Sequence, residues 1–128
     1  MEHLSVEGQT ARAGLENFLN IFLDDLQGLL KVAPVIYEVY ALAFRNATVR
    51  KVMQGFLRRY LAVIEPIVQQ GMDTGEFAPG NARQVTIAIG AALEGTLLLW
   101  AYAPKLVEPE AQLRTAMALL LKGLEMPK

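Results

Sequence analysis

The 128-residue sequence contains no cysteine and only one histidine, His3. Without cysteine, the chain can form neither a disulfide framework nor a thiolate metal site. A single histidine also leaves no plausible ligand set for zinc and no base for a nucleophile triad. We therefore expect no catalytic residue, no metal, no cofactor and no enzymatic activity.

Charge and targeting signals are scarce as well. Charged residues make up 20% of the chain, and the net charge is −1 with no basic block. This balance argues against nucleic-acid binding through the chain's own electrostatics. Asp24 and Asp25 would point about 100° apart on a helix, so we interpret them as a solvated face. The N-terminus is too polar for a signal peptide, and the cytoplasm is the expected compartment.

What is abundant is apolar sequence with helical spacing. Hydrophobic residues reach 53%, recur at intervals of three and four, and never alternate as in a strand. We predict an all-α bundle of five helices. The first should run for about five turns from Ala11, and the second should carry Pro34 in its first turn and end near Asn46. A cap at Asn46 or Thr48 should begin the third, which Pro66 should bend.

Local chemistry predicts the later helix boundaries. Gly75 should end the third helix, because glycine adopts a left-handed conformation without strain, and Phe77 can then fold back onto that helix. Asn81 and Gln84 have the spacing of a capping box, which places the next helix start at about Ala82. The last helix should open at Pro109.

The fourth helix is apolar around its whole circumference and carries one charge, Glu94, between Val85 and Ala103. Such a helix must be covered on more than one side. We therefore predict a homodimer in which the last two helices of each chain form a four-helix interface with C2 symmetry. The interface residues expected are Ile89, Leu93, Leu97, Leu113, Met117, Leu120 and Leu121.

The same window has about the ~20 residues that a membrane span needs. However, Glu94 at the bilayer centre would cost roughly 3 kcal/mol. We therefore favour a buried helix of a soluble protein, expect no membrane partner, and find no other segment that resembles a span.

The run PVIYEVYALAFRNATVRKVMQGFLRRYLAVIEPIVQQGMDTGEF, with AALEGTLLLW and ALLLKGLE after it, resembles the C-terminal half of a TetR/AcrR-family transcriptional repressor. Gly71, Gly75, Glu76 and Phe77 carry its most specific part. The resemblance implies that residues 11–128 bind a small effector and dimerise, while a separate helix-turn-helix reads operator DNA. Residues 1–10 are expected to be a tail or the end of a preceding helix. Either the chain is a fragment or its parent never had a DNA-binding domain.

An aromatic set at helical spacing has two interpretations, an ordinary core or the wall of an amphipathic cavity. Buried tyrosines favour the cavity somewhat, because each hydroxyl needs a hydrogen-bond partner. Glu94 is either paired with an arginine, exposed at a dimer edge, or turned into that cavity. The predicted ligand-binding residues are Phe22, Tyr37, Tyr40, Phe44, Met53, Phe56, Tyr60, Glu94 and Trp100.

Two functional hypotheses follow. The first is the ligand-sensing and dimerisation domain of a transcriptional repressor, which binds a small apolar or aromatic effector. The second is a stand-alone helical homodimer that mediates interactions and binds no ligand.

Overall fold

The structure is a computed structural model that describes residues 9–127. This part of the chain is all-helical and confirms the predicted five-helix fold. Most of the predicted N-terminal tail, including His3, lies outside the described residues. The helices are α1 (Ala11–Asp24), α2 (Leu26–Ala43), α3 (Ala47–Asp73), α4 (Ala82–Tyr102) and α5 (Pro109–Leu124).

The boundary between α1 and α2 differs from the prediction. The first helix ends at Asp24 rather than continuing to a fifth turn, and Asp25 separates it from α2 with φ −100° and ψ 9°. Aspartate competes with the helical backbone for hydrogen bonds, which favours helix ends. Pro34 is consequently inside α2 and not in its first turn. There it cannot donate a hydrogen bond to the carbonyl of Leu30.

The ends of α3 follow the predicted chemistry. The Asn46 side chain accepts a hydrogen bond from the N–H of Val49 at 3.1 Å and caps the helix. At the other end, Gly75 has φ +80°, a left-handed conformation. The chain then folds back, and the N–H of Phe77 donates to the carbonyl of Gly71 at 2.8 Å. The Phe77 ring is buried against the last turns of α3. Pro66 lies within this helix, and the bend expected of it remains a prediction.

Side chains also cap the last two helices. The Asn81 carbonyl oxygen accepts from the N–H of Gln84 at 2.9 Å, so α4 begins at Ala82 as predicted. Glu108 caps α5 through the N–H of Ala111 at 2.6 Å, and Pro109 occupies its first turn.

The core lies between α1, α3, α4 and α5. Six of the seven residues predicted for the dimer interface belong to it and are at most 9% exposed; the seventh, Leu120, is half-buried. The inward face of α4 and α5 was therefore mistaken for the outward one. A helix that is apolar all round does not reveal which face its own chain covers. The six core residues are Ile89, Leu93, Leu97, Leu113, Met117 and Leu121.

The opposite faces of these helices carry exposed apolar side chains, among them Leu98, Leu99 and Tyr102 on α4 and Leu119 on α5. Two described helices, α2 and α4, are long and apolar enough to cross a membrane by length and composition alone. Only α4 was identified from the sequence as long and apolar enough, and the structure adds α2. Core helices of soluble proteins pass the same test, and this property is weak evidence for a membrane.

Candidate ligand-binding site

An open cavity of about 650 Å³ lies between α1, α2, α3 and α4. Its volume is within the range typical of small-molecule sites. The wall is almost wholly apolar and rich in aromatic rings. It is formed by Phe18, Phe22, Leu29, Ala33, Ile36, Tyr37, Tyr40, Ala43, Phe44, Met53, Phe56, Leu57, Tyr60, Ile87, Gly90, Ala91, Leu93, Glu94 and Leu97.

The structure brings eight of the nine predicted ligand-binding residues together around this cavity. The exception is Trp100, which is half-buried and is not part of the wall. It is six residues beyond Glu94 on α4, which places it about 120° around the helix from that carboxylate. The aromatic pattern therefore identified residues that share one space, although it did not resolve which face of α4 borders it.

The wall residues that were not predicted are mainly aliphatic, such as Leu29, Ile36 and Ile87. An aliphatic side chain at a cavity wall has the same helical spacing as one in a packed core. No signal in the sequence separates the two. Phe18 also belongs to the wall, and its ring lies 5.9 Å from that of Tyr60.

Three groups form a polar corner where α2 meets α4. The Tyr37 hydroxyl donates a hydrogen bond to the carbonyl oxygen of Glu94 at 2.9 Å. The third group, the Tyr40 hydroxyl, interacts with the Glu94 side chain. The two tyrosine rings meet edge to face, with centroids 5.4 Å apart and planes at 87°. Burial, with the charge of Glu94 as the second cause, raises the pKa of Tyr37 to about 12. Burial and then Glu94 also raise the pKa of Tyr40.

A third tyrosine ties α3 to α4 at the floor of the cavity. The Tyr60 hydroxyl donates to the carbonyl of Thr86 at 2.7 Å. This approach requires a glycine at position 90, since a Cβ atom there would lie 2.9 Å from the Tyr60 ring. Burial raises the pKa of Tyr60, so its hydroxyl stays protonated and remains a donor.

The mouth of the cavity exposes large apolar side chains. Phe44 is 85% exposed and Phe56 is 53% exposed. The guanidinium of Arg59 lies 4.7 Å from the centroid of the Phe56 ring. Arg50 donates to the carbonyls of Ala43, at 3.2 Å, and Phe44 at the end of α2. The two arginines at the mouth therefore contact the protein at a helix end and at an aromatic ring.

Glu94 forms part of the cavity wall, which is one of the three positions considered for it. The carboxylate is exposed and forms part of the wall. The two arginines that could have paired with it are bound elsewhere: Arg83 pairs with Glu65 at 2.8 Å, and Arg114 pairs with Glu110 at 3.5 Å. Within residues 9–127 there is no cluster of three or more His, Cys, Asp or Glu that could hold a metal ion.

The comparisons with known proteins agree with this architecture. A family model described as "BetI-type transcriptional repressor, C-terminal" matches residues 11–125. No curated protein and no solved structure matches the chain. The match begins at the first residue of α1 and ends just after α5, so it includes every helix of the bundle. The chain therefore belongs to the family of BetI-type C-terminal domains of TetR-family transcriptional regulators.

Proposed function

We propose that this domain senses a small apolar or aromatic effector in the cavity between α1 and α4, and that it acts as a homodimer in the cytoplasm. The effector would control DNA binding by a domain outside this sequence. The observation that carries the proposal is the open 650 Å³ cavity with an aromatic wall. The chain belongs to a family of transcriptional regulators, and the presence of a ligand is inferred from the cavity.

The exposure of the wall supports a ligand. Phe44, Phe56 and Leu57 border the cavity and are each about half exposed or more. Leaving side chains of this size in water forgoes roughly 25 cal/mol for each Å² of apolar surface that could be buried. An apolar ligand would cover these surfaces without any rearrangement of the core. The tyrosine hydroxyls at the floor and corner would orient it.

The outward faces of α4 and α5 support the dimer. Leu98, Leu99 and Tyr102 of α4 are exposed, as is Leu119 of α5. The small residues Ala88 and Ala118 are exposed on the same two helices and would allow close approach of a second chain. A two-fold axis through this surface pairs each patch with its own copy, which closes the assembly at two chains. A stable interface there should bury more than ~1,200 Å² in total.

Helix α3 connects the cavity with the start of α1. The first half of α3 forms one wall of the cavity through Met53, Phe56 and Tyr60. The far end of the same helix leads into the connection that carries Glu76, whose carboxylate binds the first turn of α1. A ligand that displaces α3 would therefore move the point where α1 begins, and Pro66 lies between the two ends as the candidate lever.

The cavity can be tested with the neutral fluorescent probe N-phenyl-1-naphthylamine. We expect saturable binding at one probe per chain. We also expect added thermal stability, by about 2.7 kcal/mol at a hundredfold excess over the dissociation constant. Ala91→Trp should abolish binding, because Ala91 is an exposed part of the wall and a large ring there fills the space. Ala41→Trp is the matched control, since Ala41 is exposed on α2 and lies outside the wall.

The result that would reject the ligand function is equal binding by Ala91→Trp and Ala41→Trp, or no saturable binding by the unchanged protein. The second hypothesis, a homodimer that binds no ligand, would then account for the exposed faces of α4 and α5 alone.

A further inference from the structure

The charge in the cavity wall is of one sign. Within residues 9–127, the side chains that line it include one carboxylate, Glu94, and no lysine, arginine or histidine. The carboxylate interrupts an otherwise apolar helix at the point where α4 faces Tyr37 and Tyr40. Any charge that the wall contributes to a ligand is therefore negative.

Two of the three tyrosine hydroxyl protons in the cavity are already used in hydrogen bonds. Tyr37 donates to the Glu94 carbonyl, and Tyr60 donates to the Thr86 carbonyl. The Tyr40 hydroxyl interacts with the Glu94 side chain, whose carboxylate is a stronger acceptor than a neutral oxygen. The backbone N–H groups of the helix interiors that border the cavity are bonded to carbonyls within each helix. What remains for a ligand is lone pairs on three hydroxyls, a carboxylate with unused acceptor positions, and aromatic faces.

A site that offers mainly acceptors favours a ligand that brings its own donors. An ammonium group satisfies this requirement, since each N–H bond can meet a carboxylate or hydroxyl oxygen. Its positive charge is also attracted to the faces of tyrosine rings. The perpendicular rings of Tyr37 and Tyr40 place two such faces beside Glu94. An anion in the cavity would meet a carboxylate and no cationic side chain within the wall.

We propose that the cavity selects protonated amines with an apolar body, and that Glu94, Tyr37 and Tyr40 form the subsite for the ammonium group. The aliphatic and aromatic wall between α1 and α3 takes the apolar body. This assignment rests on the proposed ligand-sensing function and adds the chemical class of the ligand.

Three probes that differ only in their end group test the assignment: 4-phenylbutylamine, 4-phenylbutan-1-ol and 4-phenylbutyrate. We expect the amine to bind the unchanged protein about tenfold more tightly than the alcohol, and the butyrate to bind more weakly than either. Calorimetric titration of each probe at pH 7.5 gives the three dissociation constants.

Glu94→Gln removes the charge and keeps the shape. It should raise the dissociation constant of the amine about tenfold and change that of the alcohol by less than about twofold. Glu110→Gln is the control, because it removes one carboxylate from an exposed site on α5 outside the cavity wall. It should leave all three dissociation constants unchanged.

Tighter binding of the butyrate than of the amine would overturn the assignment and place the selecting charge at the arginines of the mouth. An equal loss of amine and alcohol in Glu94→Gln would also overturn it, since the carboxylate would then act through structure. Binding of N-phenyl-1-naphthylamine together with no binding of the amine rejects the amine class but keeps the ligand function. If none of the four probes binds, both the amine class and the ligand function are rejected.

Discussion

The carboxylate of Glu76 accepts a hydrogen bond from the backbone N–H of Ala11 at 2.8 Å, although 65 positions separate the two residues. Its second oxygen accepts from the next N–H, that of Arg12, also at 2.8 Å. The first N–H groups of a helix have no partner within the helix, and its N-terminal end attracts negative charge. The α3–α4 connection therefore caps α1 from a distance.

Glu76→Ala should lower the free energy of unfolding by about 1–2 kcal/mol, because two N–H groups lose a charged acceptor. Urea denaturation at pH 7 measures the change. Glu110→Ala is the control, since Glu110 forms only an exposed pair with Arg114 and should cost less than about 0.5 kcal/mol. Equal costs for the two variants would show that the contact contributes no more than an ordinary surface carboxylate.

Gly71 and Gly55 lie on the same helix and should respond to alanine in opposite directions. A Cβ atom at position 71 would lie 2.3 Å from the Phe77 ring and 2.8 Å from Ala11, whereas at position 55 the nearest atom is 3.9 Å away. We expect Gly71→Ala to destabilise the fold by about 1–3 kcal/mol or more. Gly55→Ala should stabilise it by about 0.5–1 kcal/mol through helix propensity.

Thermal unfolding followed by circular dichroism at 222 nm gives both values for these glycine variants. A tolerated alanine at position 71 would mean that the Phe77 ring can move aside without loss of packing.

A charge on the outward face of α5 should separate the proposed dimer without unfolding the chain. Leu119 is 66% exposed, so Leu119→Glu leaves the core unchanged while it places a carboxylate in the interface. Sedimentation equilibrium at micromolar concentration should change from two chains to one. Val35→Glu on the exposed face of α2 is the matched control and should remain dimeric. A monomer before any substitution would remove the basis for this interface.

Alkaline solution should weaken the fold through its tyrosines. The pKa of Tyr37 is raised by burial and by Glu94 to about 12, while a tyrosine in the unfolded chain titrates near 10. Between these values the unfolded chain has released a proton that the folded chain still holds. Stability from this group is therefore complete below pH 10 and falls as the pH rises toward 12.

Urea midpoints measured from pH 8 to 11.5 follow this loss. Tyr37→Phe should be less stable at pH 8, since the bond to the Glu94 carbonyl is gone, and its midpoint should fall less steeply above pH 10. Parallel curves for the two proteins would assign the alkaline loss to other groups.

Helix ends were predicted best where a single side chain determines the local backbone conformation. Asn46, Asn81, Gly75 and Pro109 each determine a helix end through a cap or a backbone angle, and all four boundaries were predicted from them. The break at Asp25 was missed because the apolar spacing continues across it, with Leu26 still facing the core. Periodicity alone does not reveal a helix end that leaves its register intact.

Contacts between residues that are far apart in the sequence could not be predicted from local patterns. Leu93 was assigned to a dimer because α4 is apolar on every side, whereas the structure buries it at 4% exposure. Glu76 contributed to the family resemblance, yet its contact with Ala11 depends on the path of the whole bundle. The aromatic cavity was predicted better, since rings with hydroxyl groups are rarely placed in a dry core without a partner.

The hydroxyls of Tyr37 and Tyr60 tie α4 to α2 and α3 at the carbonyls of Glu94 and Thr86. These two carbonyls are ~12 Å apart along the helix at 1.5 Å per residue. A hydroxyl that binds a main-chain carbonyl finds an equivalent acceptor only about one turn, or ~5.4 Å, further along. With both hydroxyls bonded, α4 therefore cannot slide by small amounts past its neighbours. A slide of α4 along its axis must break both bonds together.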